Sequence, residues 1–159
     1  MRLVLTLEKV SMFCMVNRFW RSIMFGNLMV AVSLVIFWIA FYAELIFPID
    51  VLSARILHFE GYYAWETSFT VPDLVLAITL FWSAQRLLVS PYHVPALIVL
   101  SASAGAMMFL GILDFTYGIR HGMYELDHLF SWILLAIGLG LPVWGVLNIW
   151  FTCTRLKKL

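Results

Sequence analysis

Four long apolar stretches separated by short polar segments organise this chain. Residues 23–47 carry no charge before Glu44, and residues 129–152 carry none at all. Residues 69–89 hold Asp73 and Arg86 near their ends, and residues 94–117 stay uncharged until Asp114. A bilayer core about 30 Å thick takes roughly 20 helical residues to cross, and each stretch reaches that length. The runs are continuous rather than alternating with period two, which argues for helices and against a strand barrel. The pattern predicts an all-α fold, a polytopic membrane protein built as a four-transmembrane-helix bundle in a single domain over residues 1–159.

Shorter signals fill in the connections. Leu3, Leu7, Val10 and Cys14 recur at helical spacing, so residues 3–14 of the N-terminal segment 1–22 are expected to lie on the membrane surface. Glu8 and Lys9 interrupt that run and no small-residue cleavage pattern follows, unlike a secretory signal. Met12 and Met15 offer alternative starts. Ile49, Leu52, Ile56 and Phe59 predict a second interfacial helix within residues 48–68. Pro91 and Pro95 flank Tyr92 and His93, which makes the second and third crossings a tight antiparallel hairpin with His93 structural. Ser101 to Ala106 form a small-residue belt that permits close helix approach, and Gly138, Gly140, Pro142 and Gly145 predict a kink in the last crossing.

Composition supports the membrane reading. The chain is 64% hydrophobic and 12% charged, whereas soluble domains carry roughly a quarter of charged residues. Lipid must therefore cover much of its surface. A net charge of +1 excludes nucleic acid as a partner, since that needs a basic surface. Cys14 and Cys153 form no CxxC pair and no zinc spacing.

The charges are sorted. Arg2, Lys9, Arg18, Arg21, Arg86, Arg155, Lys157 and Lys158 fall on the side of the two termini, and only Arg55 and Arg120 fall on the other. That bias predicts cytoplasmic termini, in a bacterial inner membrane. Of the acids only Glu8 shares the basic side. The others, with His58, His121 and His128, gather at the opposite face as a cup of negative potential.

Depth counting along the helices places Glu44, Asp73 and Asp114 at one level on three different crossings. Acids at such depth usually face the interior or a wet cavity and find a partner, so Asp73 is expected within reach of Glu44 or Asp114. Asp73 follows Pro72 and also suits the first turn of a helix, where an acid stabilises the N-terminus. His121 and His128 stand beside Glu125 and Asp127 in the densest titratable segment. Their spacing matches no metal motif, so no metal is assigned, and no cofactor is implied. External pH is expected to act on the cup through Asp73 with His121 or His128. No GxSxG, phosphate-cradling glycine loop or HExxH is present.

The stretch Trp65-Glu66-Thr67-Ser68-Phe69-Thr70-Val71-Pro72-Asp73-Leu74 resembles a segment of small, uncharacterised four-helix bacterial membrane proteins of the YvaD-like kind. The likeness spans about a dozen residues, and the Pro–Asp spacing differs here. It implies Trp65, Ser68, Phe69 and Asp73 as a shared signature and carries no activity.

The leading functional reading is an outward-facing acidic and aromatic cup, ligand-binding or transport-related, with Glu44, Trp65, Asp73, Asp114, His121 and His128 as candidate ligand-binding residues. Carboxylates attract a cation, and aromatic rings hold it by cation–π contact. One alternative is a non-catalytic accessory subunit packed on a membrane-protein partner or on a second copy of this chain. Another is a membrane enzyme using carboxylate acid/base chemistry on a lipophilic substrate. Besides the lipid bilayer, the expected partner is a cationic or lipophilic small molecule. Whether the chain is an enzyme stays open.

Overall fold

The computed structural model describes residues 2–45, 62–120, 124 and 129–159, with side chains described for 19–45, 64–120, 124, 132 and 135–159. The described elements are α1 (Arg2–Tyr42), α2 (Tyr62–Thr67), α3 (Thr70–Val89), α4 (Val94–Arg120) and α5 (Leu129–Leu156). Four stretches are long and apolar enough to cross a membrane: Phe19–Tyr42, Ala64–Val89, Val94–Arg120 and Leu135–Leu156. The chain is an all-α membrane bundle of four crossings. No strand occurs among the described residues.

The N-terminal segment is not a separate surface helix. Helix α1 runs unbroken from Arg2 to Tyr42. No proline occurs in that run and no glycine before Gly26, so nothing in the backbone chemistry interrupts it. Its other end comes earlier than residue 47. Leu45 N–H bonds to the Ala40 carbonyl at 2.9 Å and Glu44 N–H to that of Phe41 at 3.0 Å. Glu44 sits at φ 57°, the left-handed conformation that closes a helix in this pattern. The second interfacial helix expected from Ile49 to Phe59 lies outside the described residues.

Helices α3 and α4 form the hairpin that Pro91 and Pro95 predict. Ser90 is extended and its N–H still bonds to the Arg86 carbonyl. His93 Nδ1 accepts the Ala96 N–H at 3.2 Å, which satisfies a free donor in the first turn of α4. Helix α5 continues through Pro142 as one element.

Packing runs α1 on α3, α3 on α4 and α4 on α5, and α5 meets α1 through side-chain contacts such as Asn27 with Asn148 and Trp20 with Phe151. The core holds Met24, Leu80, Leu87, Leu97, Leu100 and Met107, all without exposure. Ser103 and Ala104 of the small-residue belt face inward, and the Ser103 hydroxyl donates to Thr79 Oγ1 of α3 at 2.9 Å. Large apolar residues such as Ile36, Ile78, Ile98 and Val143 point outward, as a lipid-covered surface requires.

Candidate functional site

Two contacts fix the start of α3 against the end of α1. The Trp38 indole Nε1 donates to Asp73 Oδ2 at 3.1 Å, and the Tyr42 and Thr70 hydroxyls bond at 2.8 Å. Trp38 is buried and sits edge-on to Phe37 and Phe41. Asp73 occupies the first turn of α3, so the helix terminus and the indole both favour its presence there.

Asp73 and Asp114 line one cavity of about 440 Å³ whose wall is drawn from all four crossings. At the acidic end its wall also carries Glu66, Trp65, Tyr117 and Tyr124. Trp65 stacks on Tyr117, with ring centroids 3.6 Å apart and planes 13° apart, and makes an edge contact with Phe69. Tyr124 lies against Gly118 and donates its hydroxyl to the Asp114 backbone carbonyl at 3.2 Å. Burial, and then the nearby Asp114 charge, push the Tyr124 phenol above its ordinary range, so it keeps its proton and remains a donor. The rest of the wall is largely apolar, with Leu34, Leu110 and Leu141 facing the space.

The cavity ends on a polar knot. The Asn27 amide donates to Asn148 Oδ1 at 2.7 Å, and Asn148 Nδ2 returns a bond to Asn27 Oδ1 at 3.1 Å. The same Asn27 oxygen accepts the Trp144 indole N–H at 2.8 Å, while Asn148 Nδ2 also reaches the Trp144 carbonyl at 2.9 Å. Both asparagines are fully buried. Gly26 makes this possible: a Cβ there would overlap the six-membered ring of Trp144, which packs closely against α1. This knot joins α1 to α5, and the cavity opens between the same two helices beyond it. Met29 and Ser33 of α1 and Ala136, Ile137 and Gly140 of α5 line the cavity and are exposed. They form a rim that faces sideways, at membrane depth.

Of the residues expected from sequence, Trp65, Asp73 and Asp114 share this cavity. Glu44 does not line it: the left-handed turn after Tyr42 carries it off the helix, exposed. Glu66 is the third acid on the wall instead. His121 and His128 lie outside the described residues. Among the described residues no three His, Cys, Asp or Glu side chains converge as a metal site would require. The lining includes no Lys, Arg or His, and neither Asp73 nor Asp114 is salt-bridged, among the described residues.

No family model matches the chain, and neither characterised proteins nor solved structures give a match.

Proposed function

We propose that this membrane protein binds a lipophilic molecule carrying a cationic group in the cavity between its four helices. One observation supports the reading above all others. Asp73 and Asp114 face a largely apolar cavity with no basic side chain among the described residues that line it. Charges at membrane depth are costly unless compensated, and a ligand cation would compensate them. The acids stand around the wall rather than converging on a point, which suits an organic cation better than a metal ion. A volume of about 440 Å³ falls in the usual range for small-molecule pockets, roughly 300–1,000 Å³. Trp65 and Tyr117 add aromatic surface beside the acids. The sideways rim between α1 and α5 suits a ligand that arrives from the lipid phase.

In this reading both termini are cytoplasmic, and the acidic end of the cavity faces outward across a bacterial inner membrane. The test is the pair tetraphenylphosphonium and tetraphenylborate, which share shape and differ in the sign of charge. Saturable binding of the phosphonium alone is expected, weakened at least about tenfold in Asp114→Asn, the loss of one charge-assisted contact. Equal binding of both ions, or no effect of Asp114→Asn, would remove the proposal.

A second reading rests on Asp73 and Asp114 sharing one cavity, the arrangement an acid/base pair needs. It requires that a bound lipophilic substrate be turned over. Recovery of the ligand chemically unchanged after prolonged incubation would decide against it.

A further inference from the structure

The opposite end of the bundle carries an independent constellation. Arg155, in the last turn of α5, is only 6% exposed. Its guanidinium carbon lies 4.9 Å from the ring centroid of Trp20, 5.3 Å from that of Phe151 and 5.4 Å from that of Tyr92. Arg155 Nη1 donates to the Tyr92 hydroxyl at 3.2 Å. Trp20 and Phe151 are themselves stacked, with centroids 4.3 Å apart. Helix α1, the turn before α4 and helix α5 thus close around one cation.

An aromatic cage attracts a cation without neutralising it. A guanidinium has five N–H donors in a rigid fork, and the Tyr92 hydroxyl takes one of them. Every acid whose side chain is described, Glu44, Glu66, Asp73 and Asp114, stands at the other end of the bundle. Arg155 therefore has no carboxylate beside it among the described residues. Buried charges are normally compensated, and an anion from outside the chain would supply that compensation.

We propose that Arg155 holds a phosphate group of an anionic lipid head group in the leaflet at this end of the bundle. The guanidinium fork matches the paired oxygens of a phosphate. Arg155 lies one residue from the end of its membrane span, the level at which head groups lie. Tyr92 and Trp150, both exposed, mark the same level with amphipathic rings. Exposed Arg21, Lys157 and Lys158 add longer-range attraction for an anionic leaflet. Tyr92 and the two stacked rings hold the fork in place, so less freedom is lost when phosphate binds.

The experiment titrates the detergent-solubilised full-length chain with short-chain phosphatidylglycerol or phosphatidylcholine and counts bound lipid by native mass spectrometry. Preferential retention of phosphatidylglycerol is expected, with affinity lowered at least about tenfold in Arg155→Gln, as loss of a charge-assisted contact implies. Lys157→Gln should stay near wild type. Arg155→Lys keeps the charge without the fork and should weaken binding several-fold, which provides a reading if the Gln variant does not fold. Inorganic phosphate, compared with chloride at matched ionic strength, should compete with the lipid, because the phosphate is the recognised group. Binding of inorganic phosphate without phosphatidylglycerol would overturn the lipid as occupant. Equal retention of both lipids would overturn the anionic head group as occupant, and unchanged binding in both Arg155 variants would overturn the site.

Discussion

The indole N–H of Trp38 reaches from α1 to Oδ2 of Asp73 at 3.1 Å, so the acid of one crossing is positioned by a buried ring of another. The bond gives half-buried Asp73 a fixed partner in the first turn of α3. Trp38→Phe keeps an aromatic ring and removes the donor. It should destabilise the bundle by about 1–3 kcal/mol, from a lost bond to a charged acceptor and a small void. The bond is isolated by a double-mutant cycle with Asp73→Leu, which is close in size and has no acceptor, read by thermal unfolding in detergent. Strict additivity of the two substitutions would show that the contact contributes nothing.

Glu44 is a helix-end residue, and its conformation makes a separate prediction. A non-glycine residue in the left-handed region costs about 1–2 kcal/mol, which glycine avoids. Glu44→Gly should raise the unfolding temperature by a few degrees and leave phosphonium binding unchanged. A large loss of binding in this variant would return Glu44 to the site.

Much of the fold is legible in the sequence because lipid imposes a simple rule: about 20 apolar residues for each crossing. Depth counting applies to α3 and α4 because both are regular to their ends, and Asp73 and Asp114 share one cavity. It failed for Glu44 because the count assumed a helix continuing to residue 47, and a left-handed glutamate has no sequence signature. Glu66 precedes the apolar run, so depth counting along the crossings does not reach it, although α2 presents it to the cavity. The Asn27–Asn148 pair left a usable signal, two lone amides within uncharged spans, but the partner lies 121 positions away. The Arg155 cage was hidden for the same reason, since Trp20, Tyr92 and Phe151 come from three elements.

The Asn27–Asn148 knot should behave as a unit. Asn27→Leu leaves the buried Asn148 amide and the Trp144 indole short of a partner, at a cost of about 1–3 kcal/mol. The double variant Asn27→Leu with Asn148→Leu removes both amides and should recover part of that loss. Denaturant titration of the three variants checks the order. A double variant as destabilised as the sum of the singles would contradict the reciprocal pairing.

The charge bias also makes a topological prediction. With eight Lys and Arg on the side of the termini and two on the other, a reporter fused after Leu159 should be active only where it remains cytoplasmic. Export of that fusion would reverse the orientation, and the acidic end of the cavity would then face inward.

The sideways rim offers a way to separate binding from stability. Gly140 lines the cavity, and a Cβ built there meets no atom within 4 Å. A larger side chain therefore has room to enter without displacing the helices. Gly140→Phe replaces the poorest non-proline helix former inside α5, which alone favours the folded state by a few tenths of a kcal/mol. The ring should occupy the mouth between α1 and α5 and compete with a ligand entering from lipid. Unfolding temperature should stay constant or rise while phosphonium affinity falls by about tenfold or more, the cost of losing some 1.4 kcal/mol of contact. Retained affinity in a stably folded Gly140→Phe variant would mean that the ligand enters by another path, and the rim would lose its role.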